Sequence, residues 1–315
     1  MGEALDIRGV ALIVSLLFSI TSIAAHFTLV RAQSSSCYNG IVMPASQGNG
    51  AIHVPPVILI HGIIENAAAW SKWEPWLKQD GIPYCTVSFD SDDPCGRTMD
   101  HANELGTIVQ TVKNFAQENH IMSNQVNIVG HSKGGLDARM YLAQTGTHDV
   151  ANLIMIGTPN GGDTLADDTV NSVWLGFWSP LYYDWANLFC RPALYDLETG
   201  ADATKSPENI NTKYYTIYGN WNPSVHCPTP PASSLGSRWA WDNSAWPGWE
   251  KDAYYKLNRP NDGIVPASSV EWLPDYHHEN LSFKLHQPPP DDCHTNLLNR
   301  PEYDLTKKIL NPSLP

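Results

Sequence analysis

The feature that most constrains this chain is the run at 125–135, Gln-Val-Asn-Ile-Val-Gly-His-Ser-Lys-Gly-Gly. Residues 126–129 are apolar and β-branched enough to read as a buried strand, and 136–143 read as a helix. Between them, Gly130-His131-Ser132-Lys133-Gly134 has the form G-x-S-x-G. Between a strand and a helix, that form is a nucleophile elbow. The turn forces the serine into a strained backbone conformation and lifts its hydroxyl above the sheet. Strand and helix pack so closely there that the flanking residues must be nearly free of side chain, as Gly130, Gly134 and Gly135 are. The five-residue pattern alone occurs by chance in roughly one random chain of this length in ten. Its meaning rests on whether the rest of the chain supplies the partners a serine nucleophile needs.

The chain around the elbow alternates strand and helix signals. Strands are predicted at 54–60, 84–89, 126–129, 151–156, 214–218 and 281–285. Helices are predicted at 67–79, 98–118 and 136–143, with a closing helix at 297–310. In the second of these, Leu105, Ile108, Val109, Val112, Phe115 and Ala116 fall on one face. This rhythm predicts an α/β fold with a doubly wound, mostly parallel sheet covered on both faces. Residues 33–54 read as irregular. Two stretches interrupt the rhythm: 160–212, a lid-like insertion, and 221–256, an insertion rich in Pro and Trp. Residues 33–315 are read as one domain carrying these insertions.

Residues 9–30 are almost all apolar or small, and 1–32 are read as a signal peptide or an N-terminal membrane anchor, outside the fold. An exported protein, secreted or held on the outer face of the membrane, is expected. Six cysteines stand at 37, 85, 95, 190, 227 and 293 without a C-x-x-C pair, so they are read as disulfides rather than as a zinc or redox motif. The short loop between Cys85 and Cys95 makes that pair the expected first bridge. The formal net charge of −13 argues against a nucleic-acid partner and against adsorption to anionic lipid by charge.

A serine hydroxyl becomes a nucleophile only with a base in hydrogen-bond reach and an acid to orient that base. At an elbow the chain order is serine, acid, histidine. Asp262, in the turn Asn261-Asp262-Gly263, is the candidate acid, with Asp252, Glu271 and Asp275 as competitors. His294 lies in the loop after the last predicted strand and is the candidate base, ahead of His286 at that strand's end. His61 and His131, flanked by glycines, are read as structural. The oxyanion needs preorganised N–H donors. The amide of Lys133, directly after the nucleophile, and that of Ile63, after the strand at 54–60, stand where they are required. The chemistry calls for no metal and no cofactor. Asp90, Asp92 and Asp93 are read as a solvated acidic turn rather than a Ca²⁺ site.

Taken together, Val-Ile-Leu-Ile-His-Gly at 57–62, Gly-His-Ser-Lys-Gly-Gly-Leu at 130–136, Gly-Thr-Pro-Asn-Gly-Gly at 157–162, Asn-Asp-Gly-Ile-Val-Pro at 261–266 and a late histidine resemble the α/β-hydrolase lipases and esterases, particularly secreted bacterial triacylglycerol lipases. The resemblance covers about 54–300. It implies the α/β-hydrolase fold, a Ser132–Asp262–His294 triad and an Ile63/Lys133 oxyanion hole in a carboxylic ester hydrolase with an ester or lipid substrate. This chain departs from the pattern in carrying Lys133 after the serine and Cys293 before the final histidine. Residues 172–189 hold Trp174, Phe177 and Trp178 where similar lipases carry a lid. That segment is read either as a cover that contacts acyl chains or a lipid interface, or as a small subdomain with its own core. An acyltransferase, amidase or polyester depolymerase could use the same triad. A non-enzymatic binding protein would have no need of all three residues in order.

Overall fold

The structure is a computed structural model and describes residues 37–43, 54–90, 95–171, 190–220, 260–262, 264–273, 281–284 and 293–312. All of them lie in the unit Ser36–Pro315. The segments 1–32, 172–189 and 221–256 lie outside the described residues, as do Asp92, Asp93, Asp252, Asp275 and His286. Among the described residues no helix is long and apolar enough to cross a membrane.

Among the described residues six strands form one parallel sheet: β1 (Val57–Ile60), β2 (Tyr84–Thr86), β3 (Val126–His131), β4 (Val150–Ile156), β5 (Lys213–Tyr218) and β6 (Leu281–Lys284). Their order is β2-β1-β3-β4-β5-β6. Parallel neighbours need crossovers. The α-helices among the described residues are α1 (Trp73–Gln79), α2 (Thr98–Glu118), α3 (Lys133–Thr145), α4 (Thr164–Asn171), α5 (Arg191–Tyr195), α6 (Ala267–Val270) and α7 (Arg300–Leu310).

Successive strand residues point to opposite faces, and here both faces are buried. Ile58 and Ile60 of β1 share a core with Leu105, Ile108, Val109 and Val112 of α2 and with Ala138, Tyr141 and Leu142 of α3. Val57 and Leu59 face a second core with Trp70, Trp73, Leu77, Tyr303 and Leu310. β4 divides likewise: Leu153 and Met155 join the first core, Ile154 and Ile156 the second. A strand buried on both faces loses its polar alternation, which explains the unbroken Val-Ile-Leu-Ile run. Each such side chain contributes about 1.5–3 kcal/mol on burial.

The helix expected over 67–79 is divided into a 3₁₀ turn at Ala67–Trp70, capped by the Asn66 side chain, and α1. Pro75 explains the break: its ring would meet the carbonyl four residues earlier, so the α-helix restarts with the proline in its first turn. Residues 37–43, expected to be irregular, bridge β2 instead. Cys37 pairs antiparallel with Val87 and Val42 with Tyr84, which covers the open edge of the sheet.

The expected Cys85–Cys95 bridge is not formed. Cys85 bonds to Cys37, and Cys95 bonds to Cys190. Cys85 lies within β2 with its side chain in the first core. Its partner therefore comes from the segment lying across the strand, not from the next loop. The two bridges close separations of 48 and 95 residues, each worth about 4–5 kcal/mol by loop-closure entropy. Cys293 is also disulfide-bonded, and Cys227 lies outside the described residues.

The start of α2 has no side-chain cap of its own. Asp196, just after α5, supplies it from a distance: Thr98 N donates to Asp196 Oδ2 at 2.8 Å and Arg97 Nη2 to Oδ1 at 2.8 Å. A carboxylate there also complements the helix dipole.

Arg139 of α3 is 1% exposed. It donates to Asn160 O and Oδ1 and to Thr204 O and Ser206 O, at 2.9–3.2 Å. Arg139→Met keeps most of the volume but strands these acceptors. It is expected to cost about 3–5 kcal/mol, read as a fall in urea midpoint at unchanged slope. A midpoint within 0.2 M of the parent, an approximate resolution limit for such curves, would refute this account of the helix anchor.

Candidate active site

In this order the winding of the sheet switches side between β1 and β3, whose carboxyl ends stand side by side. That is where open α/β sheets hold ligands. The turn after β1 carries His61, Gly62 and Ile63, and the turn after β3 carries Ser132. The two turns touch: a Cβ placed on Gly62 would come within 2.9 Å of the Ser132 Cβ.

Ser132 has φ 51° and ψ −128°. This is a sparsely populated conformation for a residue with a side chain, and it persists only where the surroundings enforce it. Its N–H donates to Ile156 O at 2.8 Å, and its carbonyl accepts from Gly135 N at 3.1 Å. The glycines act through close approach. A Cβ on Gly130 would sit 2.6 Å from Gly135 N, and one on Gly134 would sit 2.5 Å from His61 O. No other residue brings β3, α3 and the β1 turn together at this distance. The predicted strand and helix are both present and slightly longer than expected, the helix starting at Lys133.

Ser132, His294 and Asp262 come together in that order. Ser132 Oγ–H donates to His294 Nε2 at 2.9 Å, and His294 Nδ1–H donates to Asp262 Oδ2 at 2.8 Å. Because a carboxylate can only accept, it fixes the tautomer and leaves Nε2 as acceptor for the serine. Asp262 Oδ1 is held in turn by the amides of Ile264 at 3.0 Å and Val265 at 2.7 Å. The backbone closes the same arrangement, His294 N donating to Asp262 O at 3.0 Å. Ser132, His294 and Asp262 are 7%, 6% and 1% exposed. Of the competing acids, Glu271 instead ends α6. Trp174, Phe177 and Trp178 lie outside the described residues. Ile63 packs its side chain with Leu136, Ala166 and Leu197, which fixes the turn that carries its amide.

Two polar clusters, one buried and one partly buried, surround these residues, and the sequence reading found neither. The first lies behind the elbow. Lys133, read as a backbone donor only, has a fully buried side chain: Nζ donates to Asp137 Oδ1 at 2.8 Å and lies 3.1 Å from His101 Nδ1, while His101 Nδ1 is 2.7 Å from Asp137 Oδ2. Burial would raise the Asp137 carboxyl, but the charges of Lys133 and His101 and their hydrogen bonds hold it below the usual range. The i, i+4 spacing of Lys133 and Asp137 was the available signal. The second cluster joins Glu65 and His131. Glu65 Oε2 accepts from Gly62 N at 2.7 Å and lies 2.9 Å from His131 Nδ1, and His131 Nε2–H donates to His294 O at 3.1 Å.

Asp163, after the Gly-Thr-Pro-Asn-Gly-Gly run, accepts from Leu165 N at 2.9 Å. Burial pushes its carboxyl up to about 8, against the pull of the Leu165 amide and with the charges of Asp262, Asp167 and Asp168 adding to the rise. It is therefore neutral near pH 7 and adds no second negative charge beside Asp262.

The parallel sheet, the elbow and the late histidine loop define the α/β-hydrolase fold. Residues 56–195 match the family described as palmitoyl protein thioesterase. The chain is similar to a triacylglycerol lipase of Pseudarthrobacter phenanthrenivorans, 27% identical over 195 residues, covering 58% of this chain and 58% of the relative. It is equally similar to a triacylglycerol lipase of Burkholderia plantarii, 27% identical over 195 residues, covering 58% of this chain and 52% of the relative. The chain thus spans little more than half the length of these relatives. Among solved structures, the mature lipase BlEst2 of Bacillus licheniformis superposes with a TM-score of 0.58 at 18% identity, over 86% of this chain and 96% of that one.

Proposed function

We propose that the protein is a serine carboxylic ester hydrolase of the lipase/esterase type, working through an acyl-enzyme. The observation that carries this reading is the hydrogen-bonded series Ser132–His294–Asp262 at a strained elbow. The similarity to triacylglycerol lipases supports it. His294 Nε2 takes the Ser132 proton as Oγ attacks the ester carbonyl, and the amides of Ile63 and Lys133 receive the oxyanion. His294 then protonates the leaving alcohol and activates the water that releases the acid, with Asp262 stabilising the imidazolium throughout. No step needs a metal or cofactor. Trp174, Phe177 and Trp178 are proposed to contact the acyl chain or a lipid interface. The disulfides support an exported protein, testable by sequencing the N-terminus of the protein recovered from the medium.

The match to the palmitoyl protein thioesterase family favours a second reading, hydrolysis of acyl thioesters by the same residues. A panel of p-nitrophenyl esters and matched S-acyl thioesters of short and long chains, with and without residues 172–189, separates the two. Oxygen esters are expected to turn over, with deletion reducing long-chain rates most. Turnover of thioesters alone would replace the first reading, and turnover of neither, with no fluorophosphonate adduct at Ser132, would overturn both.

A further inference from the structure

His131 and Glu65 join three parts of the site that are far apart in sequence. His131 immediately precedes Ser132, Glu65 belongs to the turn after β1, and the acceptor of the His131 Nε2 proton is the carbonyl of His294 itself. Glu65 Oε2 also receives the Gly62 N–H, the amide next to that of Ile63. We propose that Glu65 is a positioning residue: through His131 it locks the oxyanion turn, the elbow and the His294 loop into one register.

The chemistry of this brace is restrictive. A carbonyl can only accept, so His131 Nε2 must carry a proton. Oε2 already accepts from Gly62, so the proton between Oε2 and His131 Nδ1 comes either from an imidazolium facing a carboxylate or from a carboxylic acid facing a neutral ring. A carboxyl group can do both, whereas an amide at the same place would need an imidazolium without a counter-charge. The charges facing the pair select the first state. Burial would raise Glu65, but the charge and hydrogen bond of His131, the Gly62 amide and His61 bring it down to about 2. Burial opposes the His131 charge, but Glu65, the His294 carbonyl and Asp262 outweigh it and raise His131 above its ordinary 6.5.

The signs follow. The Glu65 contribution is complete above the ordinary carboxyl value of 4.5 and is lost as pH falls towards about 2. The His131 contribution is complete below 6.5 and is lost as pH rises through its raised value. Above that value the unprotonated Nδ1 faces a carboxylate and the brace opens. In Glu65→Gln the carboxylate that raises His131 most is gone while burial still opposes its charge, so His131 titrates lower and the brace opens at lower pH.

The proposal rests on the hydrolase reading of Ser132, and the test keeps the two apart. At pH 7.5, Glu65→Gln is expected to lower kcat about ten- to hundredfold with KM changed less than about threefold, and to move the alkaline limb of the pH–kcat profile to lower pH by more than about one unit. A residue that merely fills space would tolerate this isosteric change. A kcat within twofold of the parent with superimposed profiles overturns the proposal. The protonation of His131 is read independently from the ¹⁵N spectrum of the unsubstituted protein, identified by its loss in His131→Asn. The His294 carbonyl requires a proton on His131 Nε2, so Nε2 is expected to be protonated at pH 7, and an unprotonated Nε2 overturns the proposal even where Glu65→Gln does not fold. Absence of a fluorophosphonate adduct at Ser132 in the parent would overturn the hydrolase reading, while the ring spectrum still decides the brace.

Discussion

Ser132→Ala is expected to lower ester turnover by about 10⁴–10⁶-fold while leaving the fold intact. The substitution removes Oγ, the atom 2.9 Å from His294 Nε2, and with it the only route to an acyl-enzyme. It removes little else. The backbone bonds of residue 132 to Ile156 and Gly135 do not involve the side chain, and alanine at φ 51° is no more strained than serine. The melting temperature should stay within about 2 °C of the parent, since loss of one neutral hydrogen bond costs only about 1 kcal/mol. Single-turnover kinetics beside a thermal scan checks both halves. Turnover retained in Ser132→Ala would refute the nucleophile assignment, whatever the scan shows.

The second large effect is expected at the residue beside it. Lys133→Met removes the cation from a pair whose side chains are 2% and 1% exposed, leaving the Asp137 carboxylate with the His101 ring 2.7 Å away as its remaining side-chain partner among the described contacts. Breaking a buried pair from one side costs about 3–5 kcal/mol, or a fall of roughly 6–15 °C in melting temperature for a domain of this size. Replacing both partners is a different experiment. Lys133→Met with Asp137→Leu leaves no buried charge unpaired and should recover most of the loss. The pH dependence has a definite sign. The Asp137 carboxyl is held below its ordinary 3.8, so its contribution is complete above that value and is lost as pH falls below it. The gap between parent and Lys133→Met should therefore narrow in acid. A gap that widens in acid, or a double variant no more stable than the single one, would contradict the pairing. Because the Lys133 amide is a proposed oxyanion donor, the single variant should lose kcat along with stability.

Local chemistry made the elbow legible from the residues alone. Three glycines crowd a serine between an apolar run and a helix, and a Cβ at Gly130 or Gly134 would fall 2.5–2.6 Å from neighbouring backbone, the reason nothing larger stands there. The same holds for α2, whose buried face follows the helical repeat. The strands of a doubly covered parallel sheet announce themselves as apolar runs because both faces are dry. The broken helix at 67–79 was the weaker case, since the apolar repeat continues through Pro75 while its ring does not allow the α-helix to do so.

What the sequence by itself determined is the strand–turn–helix around Ser132, the alternation that builds the sheet, and an acid and a histidine in the order such a nucleophile requires. Only the tertiary structure decided which partners meet. It bonds His294 to Ser132 and to Asp262, whose Oδ1 is held by two amides. It bonds Cys85 to Cys37 across a strand instead of to Cys95 in the next loop. It buries Lys133 against Asp137 and sets the half-buried Glu65 against buried His131 around the nucleophile. The physical reason is one of range. Turn chemistry and hydrophobic period act over a few residues and are written in local sequence. Glu65 and His131, or Ser132 and His294, meet through the packing of elements tens to hundreds of residues apart, and no local pattern encodes that distance; the four-residue spacing of Lys133 and Asp137 is local, but their burial is not.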